Sequence, residues 1–412
     1  MQRRQFINTV GKASLLLLAP TEMLAGKPVS ETFVFVEAEQ FADHGGWELD
    51  QQAMDQMGSP YLLAHGLGVP VADATTEIFF PEPGKYRVWV RTRDWVAPWQ
   101  APGAPGKFQL LINGSPLEET FGTKSATWHW HDGGVVEASG KTTLALRDLT
   151  GFEGRCEAIL FCKDPDFTPV DDVAALTKFR RKLLGLAEQP EAGGEFDLVV
   201  AGGGFAGTCA ALAAARNGLR VALVQDRPVL GGNGSSEVRV WPEGHTRQEP
   251  FPHVGEIVDE IAPAVIDLGR YGTRNARLGD AYNDQRKTDV VAAEPRISLF
   301  LEERVIQVEH EAGKITAVIS QNTRSSVRTR IEGKLFADCT GDATVGYLAG
   351  ADYEISASGI MGFSNMWNVM DVANKEEVLK CECKDKAALT LACEIGEVEQ
   401  PFPRCPWAID LS

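Results

Sequence analysis

The sequence predicts a multidomain chain, an N-terminal all-β sandwich followed by an α/β domain, and three observations carry that prediction. From Glu31 to about Asp164, short alternating or apolar runs are separated by turn sequences, with no run of helical period. From about residue 196, strand and helix signals alternate instead. At the head of that second region, LVVAGGGFAGTCAALAAARNG (198–218) runs from an apolar stretch into a glycine cluster and then an alanine-rich segment.

The chain as a whole sets the limits. Its 412 residues leave room for two or three cores. With 40 basic and 57 acidic residues the net charge is −17, which argues against nucleic acid or an anionic membrane as the main partner. No run beyond the N-terminus approaches a membrane span, so none is expected in the mature chain. Residues 1–30 read as an export signal: Arg3-Arg4 precede Gln5-Phe6-Ile7, then a modestly apolar stretch, then small and polar residues. This order resembles a twin-arginine signal and implies delivery to the periplasm, already folded around a cofactor.

Within the β region the expected strands are FVFVEAE (33–39), KYRVWVRTRDW (85–95), KFQLLING (107–114), TLALRD (143–148) and CEAILF (156–161). PEPG, APGAPG, NGSP and DGG separate them as turns, and a jelly-roll-like sandwich over 31–164 is the natural outcome. The opening V-E-A-E strand resembles the galactose-binding-like and carbohydrate-binding jelly rolls. Glu37 and Glu39 share a face there and, with a later carboxylate such as Glu157, offer oxygen ligands of the kind calcium takes. In TWHWHDGG, His129 and His131 would share one face and Trp128 and Trp130 the other. Core packing is the preferred reading for the tryptophans over a sugar-stacking platform, and the histidines lack a third ligand; no metal is assigned. Cys156 and Cys162, in one expected strand, would lie roughly 20 Å apart and cannot pair.

Residues 165–195 are expected to be a helical linker. DDVAALTKFRRKLLGLAEQ places Val173, Leu176, Phe179, Leu183 and Leu186 near one face, and PEAGGEF follows as a connection to the domain at 196–412.

That domain opens with a strand at Phe196–Ala201. Gly202, Gly204 and Gly207 then form G-x-G-x-x-G: one glycine for the tight turn, one for close approach of a pyrophosphate, one for helix–strand packing. Gly203 and Ala206 complete the turn, and the helix N-terminus offers free N–H groups to an anion. LRVALV (219–224) is the second strand, which makes the unit a Rossmann-like FAD/NAD(P)-binding βαβ. The ribose position at its end falls on Gln225 rather than the usual carboxylate, with Asp226 adjacent.

Two further stretches sharpen the assignment. Arg227 precedes the doublet Gly231-Gly232 and then Asn233, and KLFADCTGDATVGYLAG (334–350) ends a strand in Thr340-Gly341-Asp342. RISLFLEERVIQVEHEAGKITAVI (296–319) supplies a strand pair between them. Together these stretches resemble the FAD-dependent oxidoreductases of the FAD-oxidored type, with a glutathione-reductase-like flavin fold related to the heterodisulfide reductase flavin subunit. Proteins with an added β-sandwich and export signal are similar to exported bacterial flavoproteins sometimes labelled xanthan lyase. The resemblance implies FAD as cofactor, a doublet passing close to the pyrophosphate, and Val305 beside the adenine.

The reaction expected is hydride abstraction from a hydroxyl-bearing small molecule or saccharide, with the electron acceptor left open. His245 and His253, in WPEGHTRQEPFPHVGEIVDE (241–260), are the candidate general bases, with Glu256 nearby. The alternative is a carbohydrate-binding protein whose flavin fold is structural or inactive. Cys381, Cys383, Cys393 and Cys405 match neither zinc nor ferredoxin spacings. The 70 residues after Asp342 show no re-entrant glycine element, so the domain is expected to be C-terminally incomplete.

Overall fold

The computed structural model describes residues 32–66, 68–99, 103–242, 244, 249–263 and 279–355, with the backbone of 364–365 and 409–410. The expected export signal, His245 and the four C-terminal cysteines lie outside the described residues.

The sandwich pairs two antiparallel sheets. Strands β1 (Phe33–Glu37), β2 (Glu48–Asp50), β3 (Tyr61–His65), β4 (Ala74–Thr92), β5 (Phe108–Ile112), β6 (Ser115–Pro116), β7 (His129–Asp148), β8 (Phe152–Cys156) and β9 (Ala158–Cys162) follow in order, with a short helix α1 at Met54–Met57. One sheet runs β1-β9-β4-β7-β5-β6 and the other β2-β3-β8. Alternation along β1 sends Val34 and Val36 into the core between the sheets, with Leu62, Phe80, Tyr86, Leu110 and Phe161. PEPG and the DGG of 132–134 do not break the chain as turns. They lie inside β4 and β7, where the ladder shifts register between Phe80 and Gly84 and between Arg87 and Trp89. Cys156 and Cys162 also close different strands in different sheets, rather than sharing one, and both are free thiols.

The outer face of the larger sheet is covered by α2 (Val173–Leu183), whose start is capped by Asp172 accepting from the Ala175 N–H at 2.9 Å. Leu176 and Leu183 pack on Phe35, Trp89, Trp130 and Leu160. Trp128 packs on Tyr61 with ring centroids 4.9 Å apart, so both tryptophans of the TWHWHDGG stretch are buried. His131 is buried with Nε2 2.8 Å from the Glu119 carboxylate.

Arg180 of α2 enters the sandwich. Its guanidinium pairs with Glu37 at 2.8 Å and with Glu157, and donates to the Met57 carbonyl at 2.9 Å. The carboxylates that could have faced calcium enclose this cation instead. Glu39, buried beside them, is pushed well above the usual carboxylate range by burial and by the charge of Glu37.

The α/β domain contains β10 (Glu191–Ala201), α3 (Phe205–Arg216), β11 (Val221–Val224), α4 (Glu256–Ile261), α5 (Asp284–Ala292), β12 (Ile297–Phe300), β13 (Glu303–Glu311), β14 (Lys314–Asn322), β15 (Arg328–Asp338) and α6 (Thr344–Leu348). The sheet order is β12-β11-β10-β15-β14-β13. The first four strands are parallel, and β13 and β14 add an antiparallel hairpin beside β15. Two boundaries differ from expectation. PEAGGEF is not a free linker: β10 starts at Glu191 and pairs with β15 from Thr329 onward, across a bulge between Ala192 and Gly194. The stretch 296–319 holds three strands, because β12 joins β11 as the fourth parallel strand.

Gly207 sets the distance between α3 and the sheet, since a Cβ there would come 1.8 Å from the Gly202 carbonyl oxygen. Ala211, Leu212 and Ala215 then meet Val200 and Leu223 beneath the helix. Among the described residues no helix is long and apolar enough to cross a membrane.

Candidate functional site

A cavity of ≈ 1160 Å³ opens where β10, β11 and β15 end, the crevice at which open α/β sheets bind ligands. Its floor is the glycine turn. Gly202 has φ +99°, and its position is closed by the Cys339 carbonyl, 2.2 Å from where a Cβ would lie. Gly231 donates its N–H to the Gly203 carbonyl at 2.9 Å, which brings the Gly231-Gly232 doublet against the turn. Gly231 and Gly232 both have positive φ, 113° and 56°, so L side chains are strained at both.

Gly204 behaves differently. Its backbone is extended, with φ −63° and ψ −178°, and a Cβ would meet nothing closer than the Gly232 Cα at 3.9 Å. Neither conformation nor protein packing requires glycine there; the space belongs to the cavity. No side chain caps the helix that starts beyond it, so the N-terminal N–H groups of α3 face a cavity wall of glycine. A side-chain-free wall beside an uncapped helix start fits the pyrophosphate of a dinucleotide.

Gln225 does not take the expected ribose-facing role. It is only 3% exposed, and both ends of its amide are engaged. Oε1 accepts from the Gly203 N–H at 2.7 Å and Nε2 donates to the Val229 carbonyl at 3.1 Å. An amide carries an acceptor and a donor at once, so it ties the glycine turn to the following loop, which a carboxylate could not do. Asp226 and Arg227 line the cavity beyond it, and Arg227 pairs with Glu237 at 3.2 Å.

Val224 and Val305 form an apolar wall at the same end of the cavity. At the opposite side lie Cys339, Thr340, Gly341 and Asp342. Asp338 shapes that turn: its carboxylate accepts from Thr340 N–H at 3.1 Å, Thr340 Oγ1 at 2.7 Å and Gly346 N–H at 3.0 Å. Burial works against its charge, but these donors prevail and hold its carboxyl below the ordinary aspartate range. Asn233 also lines the cavity, at its exposed rim.

Of the cofactor residues expected from sequence, Gly202, Gly204, Ala206, Gln225, Asp226, Arg227, Gly231, Gly232, Asn233, Val305, Thr340, Gly341 and Asp342 line this one cavity. Gly203 stands just behind it, packed against Leu230 and Gln225. The candidate base His253 is not among them. Its side chain is 81% exposed and paired with Glu256 at 2.6 Å, away from the described residues that line the cavity.

Other residues were not anticipated. Lys287 is fully buried under the doublet, donating to the Tyr282 carbonyl at 2.6 Å and to Asp284 at 3.1 Å. Its stem fills the place where a Gly231 Cβ would come 2.7 Å from Lys287 Cε. The sandwich also reaches the site: His44, Trp47, Glu48, Leu49, Asp50 and Gln51 line the cavity from the loop and strand around β2. Arg304, one residue before Val305, donates to the Gln51 carbonyl at 3.0 Å and was readable as a neighbour of the adenine position. The sandwich residues had no sequence signal, because their partners lie 175 to 280 positions away.

Residues 197–400 match the family model described as FAD dependent oxidoreductase. No curated protein matches the sequence. Among solved structures, Mycobacterium smegmatis Sdh1 in complex with UQ1 is 17% identical, covering 35% of this chain and 33% of that one, with a TM-score of 0.25. The glycerol-3-phosphate dehydrogenase from Bacillus halodurans complexed with FAD is 20% identical over 36% of this chain and 34% of that one, with a TM-score of 0.25. This chain thus spans about a third of those flavin-domain structures. For the sandwich, a family 35 carbohydrate binding module from Clostridium thermocellum is 17% identical over 32% of this chain and 97% of the module, with a TM-score of 0.25. The matched stretch holds the glycine turn, the Gly231-Gly232 doublet and the Thr340–Asp342 turn of the cavity, and in it the α/β domain is similar to the FAD-dependent oxidoreductases.

Proposed function

We propose that the cavity holds FAD and that the protein oxidises a hydroxyl-bearing small molecule or saccharide after export to the periplasm. The observation that carries the cofactor reading is Gly204: a glycine that neither backbone nor packing requires, on the wall of a cavity large enough for a dinucleotide. In this reading Gly204 and the Gly231-Gly232 doublet border the pyrophosphate, and the start of α3 supplies N–H donors. Asp226 takes the ribose contact that Gln225 has given up, Val305 packs on the adenine, and Thr340–Asp342 border the flavin half.

Bound FAD supplies a two-electron acceptor for the hydride. The chain's own task is to position the substrate, exclude water and remove the hydroxyl proton. His245 carries the general-base assignment, since His253 is turned to solvent. Support for a saccharide substrate is the jelly-roll-like sandwich fused to the flavin domain.

The test starts with the purified protein. A yellow protein that releases FAD on denaturation, and whose colour bleaches without oxygen in the presence of an alcohol or saccharide, supports the reading. A colourless protein that takes up no FAD but is retained on polysaccharide gels supports a carbohydrate-binding protein with an inactive flavin fold.

A further inference from the structure

We propose that Lys287 is a positioning residue for the cofactor's pyrophosphate, holding the loop 231–234 from beneath in the shape the phosphates meet. The inference rests on the FAD reading above and adds to it a residue of α5 that never touches the ligand.

The loop is poorly equipped to hold a shape by itself. Three of its four residues are glycine, the residue that loses most conformational freedom on ordering. Gly231 and Gly232 stand on the cavity wall with positive φ and no side chains to anchor them. Toward α3, the Gly231 N–H is tied to the Gly203 carbonyl at 2.9 Å.

On the other side the supports converge on Lys287. Its stem lies under Gly231, with Cε and Cδ 2.7 and 2.9 Å from where a Cβ would stand. Nζ donates to the Tyr282 carbonyl at 2.6 Å and to the Asp284 carboxylate at 3.1 Å. Each partner in turn holds the chain just beyond the loop. The Tyr282 hydroxyl donates to the Arg239 carbonyl, and the Asp284 carboxylate accepts from the Ser236 N–H at 3.1 Å. Nζ also lies 5.9 Å from the centre of the Phe205 ring, which closes the place of a Gly234 Cβ at 2.5 Å. One ammonium thus links the first glycine of the loop, the segment that leaves it and the first residue of α3.

Burying an ammonium completely is unfavourable, and here burial draws its proton affinity below the ordinary lysine range. A methionine would fill the same space without that penalty. What the ammonium adds is two directional bonds, and their effect is to order the glycine wall before the ligand arrives, so that binding does not bear that entropy.

The experiment uses the full chain stripped of flavin. FAD and riboflavin binding are followed by flavin fluorescence, ADP by calorimetry and adenosine by its competition with FAD. FAD and ADP carry the two phosphates, whereas riboflavin and adenosine carry none. Lys287→Met keeps the stem and removes both bonds. It is expected to weaken FAD and ADP about 10-fold, the worth of one or two buried hydrogen bonds, and to leave riboflavin and adenosine unchanged. If Lys287→Met alone does not fold, Lys287→Met combined with Asp284→Asn removes the unpaired carboxylate and should show the same split. A merely structural lysine gives a different pattern, a lower melting temperature with all four ligands bound as before or all four weakened alike, and either result overturns the proposal. Wild type that binds FAD and ADP no better than Lys287→Met does removes this proposal and leaves the cofactor reading standing. Wild type that binds neither removes both.

Discussion

At Gly204 the fold and the ligand make separate demands, and a substitution tells them apart. Gly204→Val places a branched side chain in open cavity, so the apoprotein should keep its melting temperature while FAD retention, read as absorbance near 450 nm per protein, falls to background. Folded, fully yellow Gly204→Val protein would remove the turn from the cofactor site. Gln225 makes the opposite case. Gln225→Leu leaves the buried Gly203 N–H without its 2.7 Å acceptor and should cost about 1–3 kcal/mol in urea unfolding even without cofactor. The glycines were legible in the sequence because their spacing is local to one turn. The use of Gln225 was not, because an amide can face a ligand or its own backbone, and only the position of Val229 and Gly203 around it decides.

Among the elements, α2 shows how a helix that reads as a connector becomes part of a core. Its apolar stripe was visible at helical spacing, but the stripe gives no hint that Arg180 points inward as well. Arg180→Met should destabilise the sandwich by about 3–5 kcal/mol at neutral pH, because Glu37 and Glu157 would lose the cation they enclose. The pH dependence has a definite sign. Burial raises the carboxyls of both Glu37 and Glu39 in the folded state, so above the unfolded value near 4.5 the native chain holds protons that the unfolded chain has released. Stability from this cluster is greatest at or below that pH and declines as pH rises toward the folded values. In Arg180→Met the decline should steepen, visible as a larger difference between urea midpoints at pH 5 and pH 8; equal slopes in variant and wild type would refute it. The long β4 and β7 were the harder elements to read. Prolines and glycines at 81–84 and 133–134 carry turn chemistry, and only the pairing of two strands of about twenty residues absorbs them as bulges.

For the molecule as a whole, the cavity is lined from both domains, so a cofactor bound in it should make them melt together. Saturating FAD, at about 100 times its dissociation constant, adds roughly 2.7 kcal/mol to the state that binds it. Calorimetry of the loaded protein should show the sandwich transition moving up with that of the flavin domain; movement of the flavin transition alone would show that the sandwich takes no part. Export is a separate question at this scale. Replacing Arg3 and Arg4 by Lys should hold the protein in the cytoplasm in cell fractionation, since the twin-arginine pathway reads the guanidinium pair; normal export of the double variant would point to another route. The two-domain order was legible from the change in period near residue 196, whereas the shared cavity was not, because it depends on contacts between segments far apart in sequence.

The fastening of α2 to the sandwich has a further consequence for how the domains find each other. Once Arg180 is locked in, only residues 184–190 separate α2 from the first residue of β10, a leash of at most about 25 Å. Held so closely, the β2 loop meets the cavity rim at an effective concentration in the millimolar range or above, without a binding step from solution. Contacts as slight as Gln51 to Asp226 and Gln321 to Gly58 are then sufficient to keep the mouth covered. The same two surfaces, cut at the leash and mixed as separate pieces, would dissociate.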